Sequence, residues 1–388
     1  MKSDRKIILT ILFSIVGIKI SAYDAIINGI YYNIDGAKAI VTYKTDPSAK
    51  WGQGVDDYEG VVVIPEYIKW NGRIYDVVEI DRYAFAWCTG LTSVEIPNGI
   101  KRISHMAFAD CSRLNSVNIP NSVVYIGISA FEDCSRLSTI EIPTSVEYVG
   151  GNAFKGTPWL NNQSGLVYIN NVLYKCVSLE GDGITIKNGE VNVTIKYGTK
   201  RISDYAFSQE YRMNSIHIPS SVKTIGKSAF ESCFRLTTID IPNSVTEINY
   251  YAFLHCSGLT SVTIGSGVTK MEYGVFNYCS GLKKIISYIK EPFEIDSWTD
   301  VPRYIPLYVP AGTIEKYRNT DGWNYFTNIF EIGTDPDGIE NPTIDSSSRS
   351  VKNLYYKLDG QRLIEKPTKA GLYIHNEKKI MIQSSVMQ

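Results

Sequence analysis

The sequence predicts an α/β-type solenoid made of stacked coils of 23 residues. Eight phenylalanines recur 23 residues apart, with a single longer step of 53 residues, which is one period plus 30. Other apolar positions repeat in the same register around each phenylalanine. A fixed period in this range is typical of solenoid proteins, in which each coil packs only on its neighbours. The phenylalanines are Phe85, Phe108, Phe131, Phe154, Phe207, Phe230, Phe253 and Phe276.

The coil at residues 91–114 shows how one repeat is built. Residues 94–96 alternate between apolar and polar, which predicts a short, half-buried strand. Pro97 comes directly after them and ends the strand, because proline cannot donate a hydrogen bond to a ladder. The wider apolar spacing that follows predicts irregular or short-helical backbone on the opposite, convex side. We therefore expect short parallel strands on one face, with coils about 4.8 Å apart.

The repeat resembles the BspA-like class of bacterial leucine-rich repeats, whose motif is close to LxxIxIPxxVxxIGxxAFxxCxxL. Residues 218–233, IPSSVKTIGKSAFESC, match that motif almost letter for letter. The resemblance is strong over about residues 60 to 285. It implies a leucine-rich repeat solenoid and, by analogy, adhesion to host or neighbouring-cell components.

The N-terminus predicts a signal peptide at residues 1–22. Lys2, Arg5 and Lys6 precede an apolar stretch at 7–18 that is too short to span a bilayer, and small residues stand at 21–22. The alternative is an uncleaved anchor; the absence of a nearby cysteine argues against a lipoprotein anchor at this site. We expect a secreted or cell-surface protein with no transmembrane segment in the mature chain.

Six of the seven cysteines occupy one position of the repeat, three residues after the phenylalanine, and only Cys176 lies elsewhere. Stacked coils would align them as two ladders of three. We expect free buried thiols, because parallel side chains keep their Cβ atoms too far apart for good disulfide geometry. Some disulfides are the alternative, and the spacing does not resemble that of zinc ligands.

The repeat and its interruptions divide the chain into segments. The extra residues of the long step form an insert in which 165–175 reads as a β-hairpin with an Asn-Asn turn. The insert either packs on the solenoid as an elaboration or contributes to a binding face. The C-terminal segment resembles the sorting-type domains of exported bacterial proteins, and a passive tail is the alternative. The predicted segments are a signal peptide (1–22), an N-terminal β-rich cap (23–75), the leucine-rich repeat solenoid (76–285) with its insert (161–190), a C-terminal cap (286–333), a linker (334–350) and a small β-rich sorting-type module (351–388).

No pattern in the sequence predicts catalysis, a metal or a cofactor. The four histidines are isolated, and Ser220 with Lys223 match the SxxK spacing only inside the repeat, without its partner motifs. The net charge of −1 indicates no basic face, so we predict no nucleic-acid partner. We therefore predict a non-catalytic protein that needs no cofactor, with no metal site and an oligomeric state that the sequence does not indicate.

The outward positions of the strands are the candidate binding residues. They carry mostly small hydroxyl and amide groups, which either solvate the strands or form an extended platform for an extracellular protein or glycan. Aromatic residues near the convex turns, at Tyr83, Trp87, Tyr205, Tyr211, Phe234 and Tyr251, are a rival contact surface. The candidates on the strands are Thr92, Ser93, Glu95, Asn115, Ser116, Asn118, Ser138, Thr139, Glu141, Asn214, Ser215, His217, Thr237, Thr238, Asp240, Thr260, Ser261 and Thr263.

These observations predict an exported, surface-associated repeat protein that mediates protein–protein binding or adhesion through the solenoid surface. The alternative is a glycan-binding accessory protein of a surface nutrient system. An enzyme, with a site formed by the insert against the solenoid, and a purely structural protein are further alternatives. The sequence names no ligand, and it does not indicate whether the protein is retained on the cell or released.

Overall fold

The computed structural model describes residues 23–44, 58–296 and 298–333, together with the backbone of short strands between 355 and 382. The predicted signal peptide and linker lie outside these residues. The chain divides into two compact units: Met1–Ser145 with Ala153–Pro158, and Val146–Asn152 with Trp159–Gln388. Each unit contains β-solenoid coils, so the prediction of a leucine-rich repeat solenoid with 23-residue coils is confirmed.

The first unit is built on two sheets. Strands β1, β2 and β3 pair antiparallel, and β3 continues in parallel with β6, β8 and β10, while β5 pairs antiparallel with β6. On the other side, β4, β7 and β9 form a parallel sheet. The strands are β1 (Ala25–Ile27), β2 (Ile30–Asp35), β3 (Lys38–Thr42), β4 (Gly60–Val63), β5 (Tyr67–Trp70), β6 (Arg73–Ile80), β7 (Leu91–Glu95), β8 (Arg102–Ile103), β9 (Ser116–Asn118) and β10 (Tyr125–Ile126).

The second unit repeats this plan with three sheets. One sheet has the order β12-β13-β16-β18-β20-β22; the strand side has β14-β15-β17 and β19-β21-β23-β24-β25. The elements are β11 (Tyr148–Val149), helix α1 (Pro158–Asn161, which begins at the last residue of the first unit), β12 (Leu166–Ile169), β13 (Val172–Cys176), β14 (Ile184–Lys187), β15 (Glu190–Thr194), β16 (Arg201–Ile202), β17 (Met213–His217), β18 (Thr224–Ile225), β19 (Thr238–Ile241), β20 (Glu247–Ile248), β21 (Ser261–Ile264), β22 (Lys270–Met271), β23 (Lys284–Ser287), β24 (Pro306–Val309), helix α2 (Ile314–Arg318), a 3-10 turn (Trp323–Tyr325) and β25 (Asn328–Glu331).

The C-terminal segment contains a four-stranded antiparallel sheet of order β27-β26-β28-β29. The sequence predicted strands in these places. Their bounds are β26 (Tyr355–Lys357), β27 (Arg362–Leu363), β28 (Gly371–His375) and β29 (Lys378–Ile382).

The core of each coil is its phenylalanine. Phe230 is fully buried and stacks on Phe207 and Phe253 with ring centroids 5.2 and 5.0 Å apart. Its backbone N–H donates to the Ala252 carbonyl of the next coil at 2.7 Å. A small alanine precedes seven of the eight phenylalanines, and Val275 precedes Phe276; the small side chain lets the coils approach closely. At the end of the ladder in the second unit, Trp298 takes the next place and stacks on Phe276 at 5.7 Å.

The half of each coil opposite the long strand is irregular, as one reading of the sequence expected, but it also holds a second strand of two residues. Thr224–Ile225 is such a strand and pairs in parallel with its neighbours. Around Phe230, Ser228 and Ser232 both have positive φ, at 50° and 61°, which interrupts any helix. The backbone N–H groups alternate here: those of Ser228, Phe230 and Ser232 donate to carbonyls of the next coil, and the ones between them donate to the carbonyl three residues back.

The hairpin predicted in the insert is confirmed. Strands β12 and β13 pair antiparallel across Asn170 and Asn171. Strand β13 then pairs in parallel with β16, so the insert supplies a strand to the sheet of short strands. Asn170 also donates from Nδ2 to the Val146 carbonyl at 2.9 Å. A second hairpin, β14–β15, leads into the strand on which the repeat resumes.

Candidate binding surface

The strand face is the outward surface of the longer parallel strands, and each unit has one. In the first unit it lies on β4, β7 and β9, and Asn118 forms a further bridge to Glu141. Ser93 is aligned with Ser116, and Glu95 with Asn118. The register therefore places the sequence-predicted residues of this unit in straight rows across the coils.

In the second unit the same rows run across β15, β17, β19 and β21. Asn192 is aligned with Ser215, and its Oδ1 accepts a hydrogen bond from the Ser215 hydroxyl. Thr238 is aligned with Ser261, and Asp240 with Thr263. Thr194 of the first strand is aligned with His217. The predicted residues of this unit are thus brought together on one surface.

The candidate residues are exposed or half-buried. The inward residues between them are buried, except Ile140, which is half-buried. The half-buried ones are Thr92, Ser93, Asn214, Ser215, Thr260, Ser261 and Thr263. The exposed ones are Glu95, Asn115, Ser116, Asn118, Ser138, Thr139, Glu141, His217, Thr237, Thr238 and Asp240.

The candidates do not all offer free polar groups. The Thr260 hydroxyl donates to the Thr237 carbonyl at 3.0 Å, and the Thr237 hydroxyl to the Asn214 carbonyl at 3.4 Å. The Asn214 Oδ1 accepts a hydrogen bond from the Val191 N–H at 2.9 Å. The row of Asn214, Thr237 and Thr260 therefore joins neighbouring coils through hydrogen bonds. The rows through Thr238 and Asp240 are better placed to contact a partner.

The structure adds two sets of residues that the sequence reading missed. Val61 and Val63 are aligned with Ser93 and Glu95, and they are 62% and 56% exposed, so the first strand face begins with an apolar patch. The continuous apolar run at 61–64 was the available signal. The other set is a column of exposed arginines that borders the strand face in four of the coils, two in each unit, five residues after the phenylalanine: Arg113, Arg136, Arg212 and Arg235.

The rival aromatic surface separates into buried and exposed members. Trp87 is buried, and Tyr83, Tyr205 and Tyr251 are half-buried in the coils. Tyr211 and Phe234 are 48% and 46% exposed, and their rings stack on one another at 5.3 Å. Only this last pair from the predicted aromatic set presents large ring area to solvent.

The cysteine thiols are buried and form no disulfides, as predicted. All seven are free. In each ladder a thiol donates to the phenylalanine carbonyl of the preceding coil, as Cys256 does to Phe230 at 3.0 Å. Burial raises the pKa of Cys256 well above its ordinary value, so the group stays protonated and is a poor nucleophile.

Burial also raises the pKa of two acidic side chains in the turns. Burial and the neighbouring carboxylates of Asp133 and Glu132 raise the pKa of Asp110. Burial also raises the pKa of Glu210, which lies near Arg212. Within 23–44, 58–296 and 298–333, no group of three or more His, Cys, Asp or Glu side chains could hold a metal ion. In the same ranges, no helix is long and apolar enough to cross a membrane.

The coils, their parallel strands and their stacked phenylalanines define a leucine-rich repeat protein. The chain belongs to the BspA-type leucine-rich repeat family, because the model of the BspA type leucine rich repeat region matches residues 74–180 and 187–296 in six copies. No curated protein matches the chain.

Several solved structures resemble the chain. A leucine-rich repeat protein from Bacteroides ovatus is 21% identical, covers 81% of this chain and 80% of its own, and has a TM-score of 0.35. The pneumococcal vaccine antigen PcpA is 19% identical over 80% of this chain and 99% of its own, with a TM-score of 0.38. A leucine rich cell surface protein from Faecalibacterium prausnitzii is 20% identical over 68% and 94%, with a TM-score of 0.27.

Proposed function

We propose that this chain is an exported, surface-associated protein that binds other proteins through its strand faces and catalyses no reaction. The observation that carries the proposal is the pair of aligned outward rows, in which Ser93 meets Ser116 and Thr238 meets Ser261. Their side chains are small, and the strands beneath them are held by a buried core. Such a surface can accept a partner without rearranging the coils.

The chemistry of these rows favours adhesion over tight binding by one site. Serine, threonine and asparagine contribute hydrogen bonds that largely replace those made with water, so each adds little net affinity. Many copies on one cell would raise the overall affinity through avidity. Adhesion to a host or neighbouring cell surface requires this kind of many-copy contact.

The test is capture from host matrix, mucin and bacterial surface extracts on immobilised residues 23–388. The strand-face variant carries Ser93→Lys, Ser116→Lys, Thr238→Lys and Ser261→Lys. The matched control places the same four charges on exposed residues elsewhere on the coils, with Asn98→Lys, Asn121→Lys, Ser257→Lys and Ser266→Lys.

We expect a partner that the parent and the control retain and the strand-face variant loses. Equal capture by all three proteins would contradict a strand-face site. Loss of capture after the extract is enzymatically deglycosylated would favour the glycan-binding alternative. Absence of any partner would favour the structural or enzymatic alternatives.

A further inference from the structure

The arginine column that borders the strand face is held in the same way in every coil that has it. Each arginine lies within a short turn closed by a backbone hydrogen bond, from Leu114 N to Cys111 O around Arg113 and from Leu236 N to Cys233 O around Arg235. All four arginines are exposed, and none forms an ion pair within the described part of the chain. The column therefore presents guanidinium groups one coil apart at the edge of each strand face.

The residue before each arginine differs between the two units. In the first unit it is Ser112 or Ser135, and in the second unit it is Tyr211 or Phe234. The backbone is the same in both cases: Ser112 N donates to Asp110 O at 2.8 Å, and Tyr211 N donates to Gln209 O at 2.9 Å. The same turn therefore presents serine beside arginine in one unit and an exposed aromatic ring beside arginine in the other.

The charge around the column also differs between the units. The strand face of the first unit carries Glu95 and Glu141 as well as its arginines. In the second unit, Lys283 and Lys284 continue the positive charge next to the rows that contain Ser215, Thr238 and Ser261. The outward carboxylates of β15, β17, β19 and β21 are Glu190, at the start of β15, and Asp240. Glu210 lies near Arg212, but it is half-buried. Because its positive charges outnumber these carboxylates, the second unit is more complementary to an acidic partner than the first.

We propose that Tyr211, Arg212, Phe234 and Arg235 form a binding hot spot for an acidic segment of a protein partner. Tyrosine and arginine are enriched among the residues that dominate binding energy, and arginine pairs with carboxylates through two parallel hydrogen bonds. The two rings lie 9° from parallel and each covers one face of the other, which reduces the ring face available to a sugar. Ring edges and guanidinium groups suit carboxylate and apolar side chains. The inference rests on the proposed function and assigns its partner a chemistry.

The test measures binding of a fluorescent peptide of alternating aspartate and tyrosine to residues 23–388. The variants are Arg212→Ala/Arg235→Ala and Tyr211→Ala/Phe234→Ala. The matched control is Arg113→Ala/Arg136→Ala, which removes the same charge from the same repeat position where serine replaces the aromatic ring. We expect each hot-spot variant to weaken binding at least about tenfold, and the control to change it less than about twofold. Added salt should weaken binding to the parent.

Several results would overturn this inference. Equal loss in the control would mean that any exposed arginine pair suffices, and absence of peptide binding would remove the acidic partner. If polygalacturonate binds better than the peptide and loses binding in the same variants, the partner is an acidic glycan. All variants are first compared with the parent by circular dichroism and thermal unfolding, so that a folding defect is recognised.

Repeating the extract capture with these variants separates the two proposals. A partner lost by the strand-face lysine variant but kept by Arg212→Ala/Arg235→Ala would sustain the strand-face function and refute the hot spot. A partner lost only by the arginine variant would refute the strand-face site and sustain the hot spot.

Discussion

Asp204 accepts a hydrogen bond from the guanidinium of Arg201 at 3.1 Å, with the side chains only 5% and 16% exposed. The same carboxylate accepts the Lys227 backbone N–H at 2.9 Å and lies 3.4 Å from the Tyr148 hydroxyl. The Arg201 guanidinium stacks 4.6 Å from the centre of the Tyr148 ring. A buried ion pair thus joins β11, β16 and the second residue after β18, next to the strand supplied by the insert.

Replacing Asp204 by alanine should destabilise the second unit strongly. The substitution leaves the Arg201 charge buried without its carboxylate, and breaking a buried pair in this way costs about 3–5 kcal/mol. Few other hydrogen bonds would offset the lost carboxylate, because the Nε of Arg201 already lacks a hydrogen-bond partner within the described residues. Urea unfolding of Asp204→Ala and the parent gives the difference directly.

Lys155→Ala is the control for this measurement. Lys155 pairs with Glu132 at 2.6 Å, but the lysine side chain is 59% exposed. We expect a cost below about 1 kcal/mol, because solvent screens such a pair. Equal costs for the two variants would show that the Asp204 pair contributes no more than a surface pair.

Two phenylalanines four residues apart in the same coil should differ sharply in their effect on stability when each is replaced by alanine. Phe230→Ala removes a fully buried ring stacked between two others, and we expect a loss of about 3–5 kcal/mol of unfolding free energy. Phe234 is 46% exposed, so Phe234→Ala should cost less than about 1 kcal/mol. Chemical denaturation of the two variants makes the comparison, and similar losses would contradict the assignment of Phe230 to the core.

The sequence predicted the features that the 23-residue repeat determines. The burial of Phe230, the outward position of Thr238 and the free thiol of Cys256 all follow from one repeating pattern, which the stacked coils enforce at each turn. The hairpin around Asn170 was predictable because its alternation and turn residues are local.

The remaining features depend on contacts that no local pattern records. Thr224–Ile225 is too short a strand to show alternation. In the sequence Asp204 is an ordinary polar residue, and only the fold places Tyr148, 56 positions away, beside it. Arg212 and Arg235 occupy a position that reads as solvated surface, and only the fold shows that they border the candidate site. The hydrogen bonds of Asn214 and Thr260 to neighbouring strands were likewise not predictable from the sequence.

Gly226 should tolerate no side chain. A Cβ added there would lie 2.6 Å from the backbone nitrogen of Asp204 and 2.5 Å from its Oδ1, so the coil would have to move. We expect Gly226→Ala to cost about 1–3 kcal/mol, as overpacking typically does. At Gly90 an added Cβ meets mainly the side chain of Glu59, which can turn away. A lower melting temperature for Gly226→Ala than for Gly90→Ala is the expected result, and the reverse order would contradict the packing argument.

The thiol ladder should make stability fall at alkaline pH. Burial raises the folded-state pKa of Cys256 above the ordinary value of 9.0, so folding favours the protonated thiol. That contribution is complete below the pKa of the unfolded chain and is lost as pH rises through the higher folded-state pKa. The unfolding free energy should therefore decrease between about pH 7 and about pH 10, and Cys256→Ala should reduce the decrease.

The same burial predicts that a thiol reagent labels Cys256 only when the coil opens. Its side chain is fully buried and donates to the Phe230 carbonyl, so neither access nor thiolate is available in the folded chain. Labelling at mildly alkaline pH, followed by mass spectrometry of the peptide that contains Cys256, should proceed at the rate of opening and accelerate in urea. Rapid labelling without urea would mean that the ladder is exposed in solution, and the alkaline loss of stability would then need another cause, such as the buried hydroxyl of Tyr317, whose pKa burial also raises.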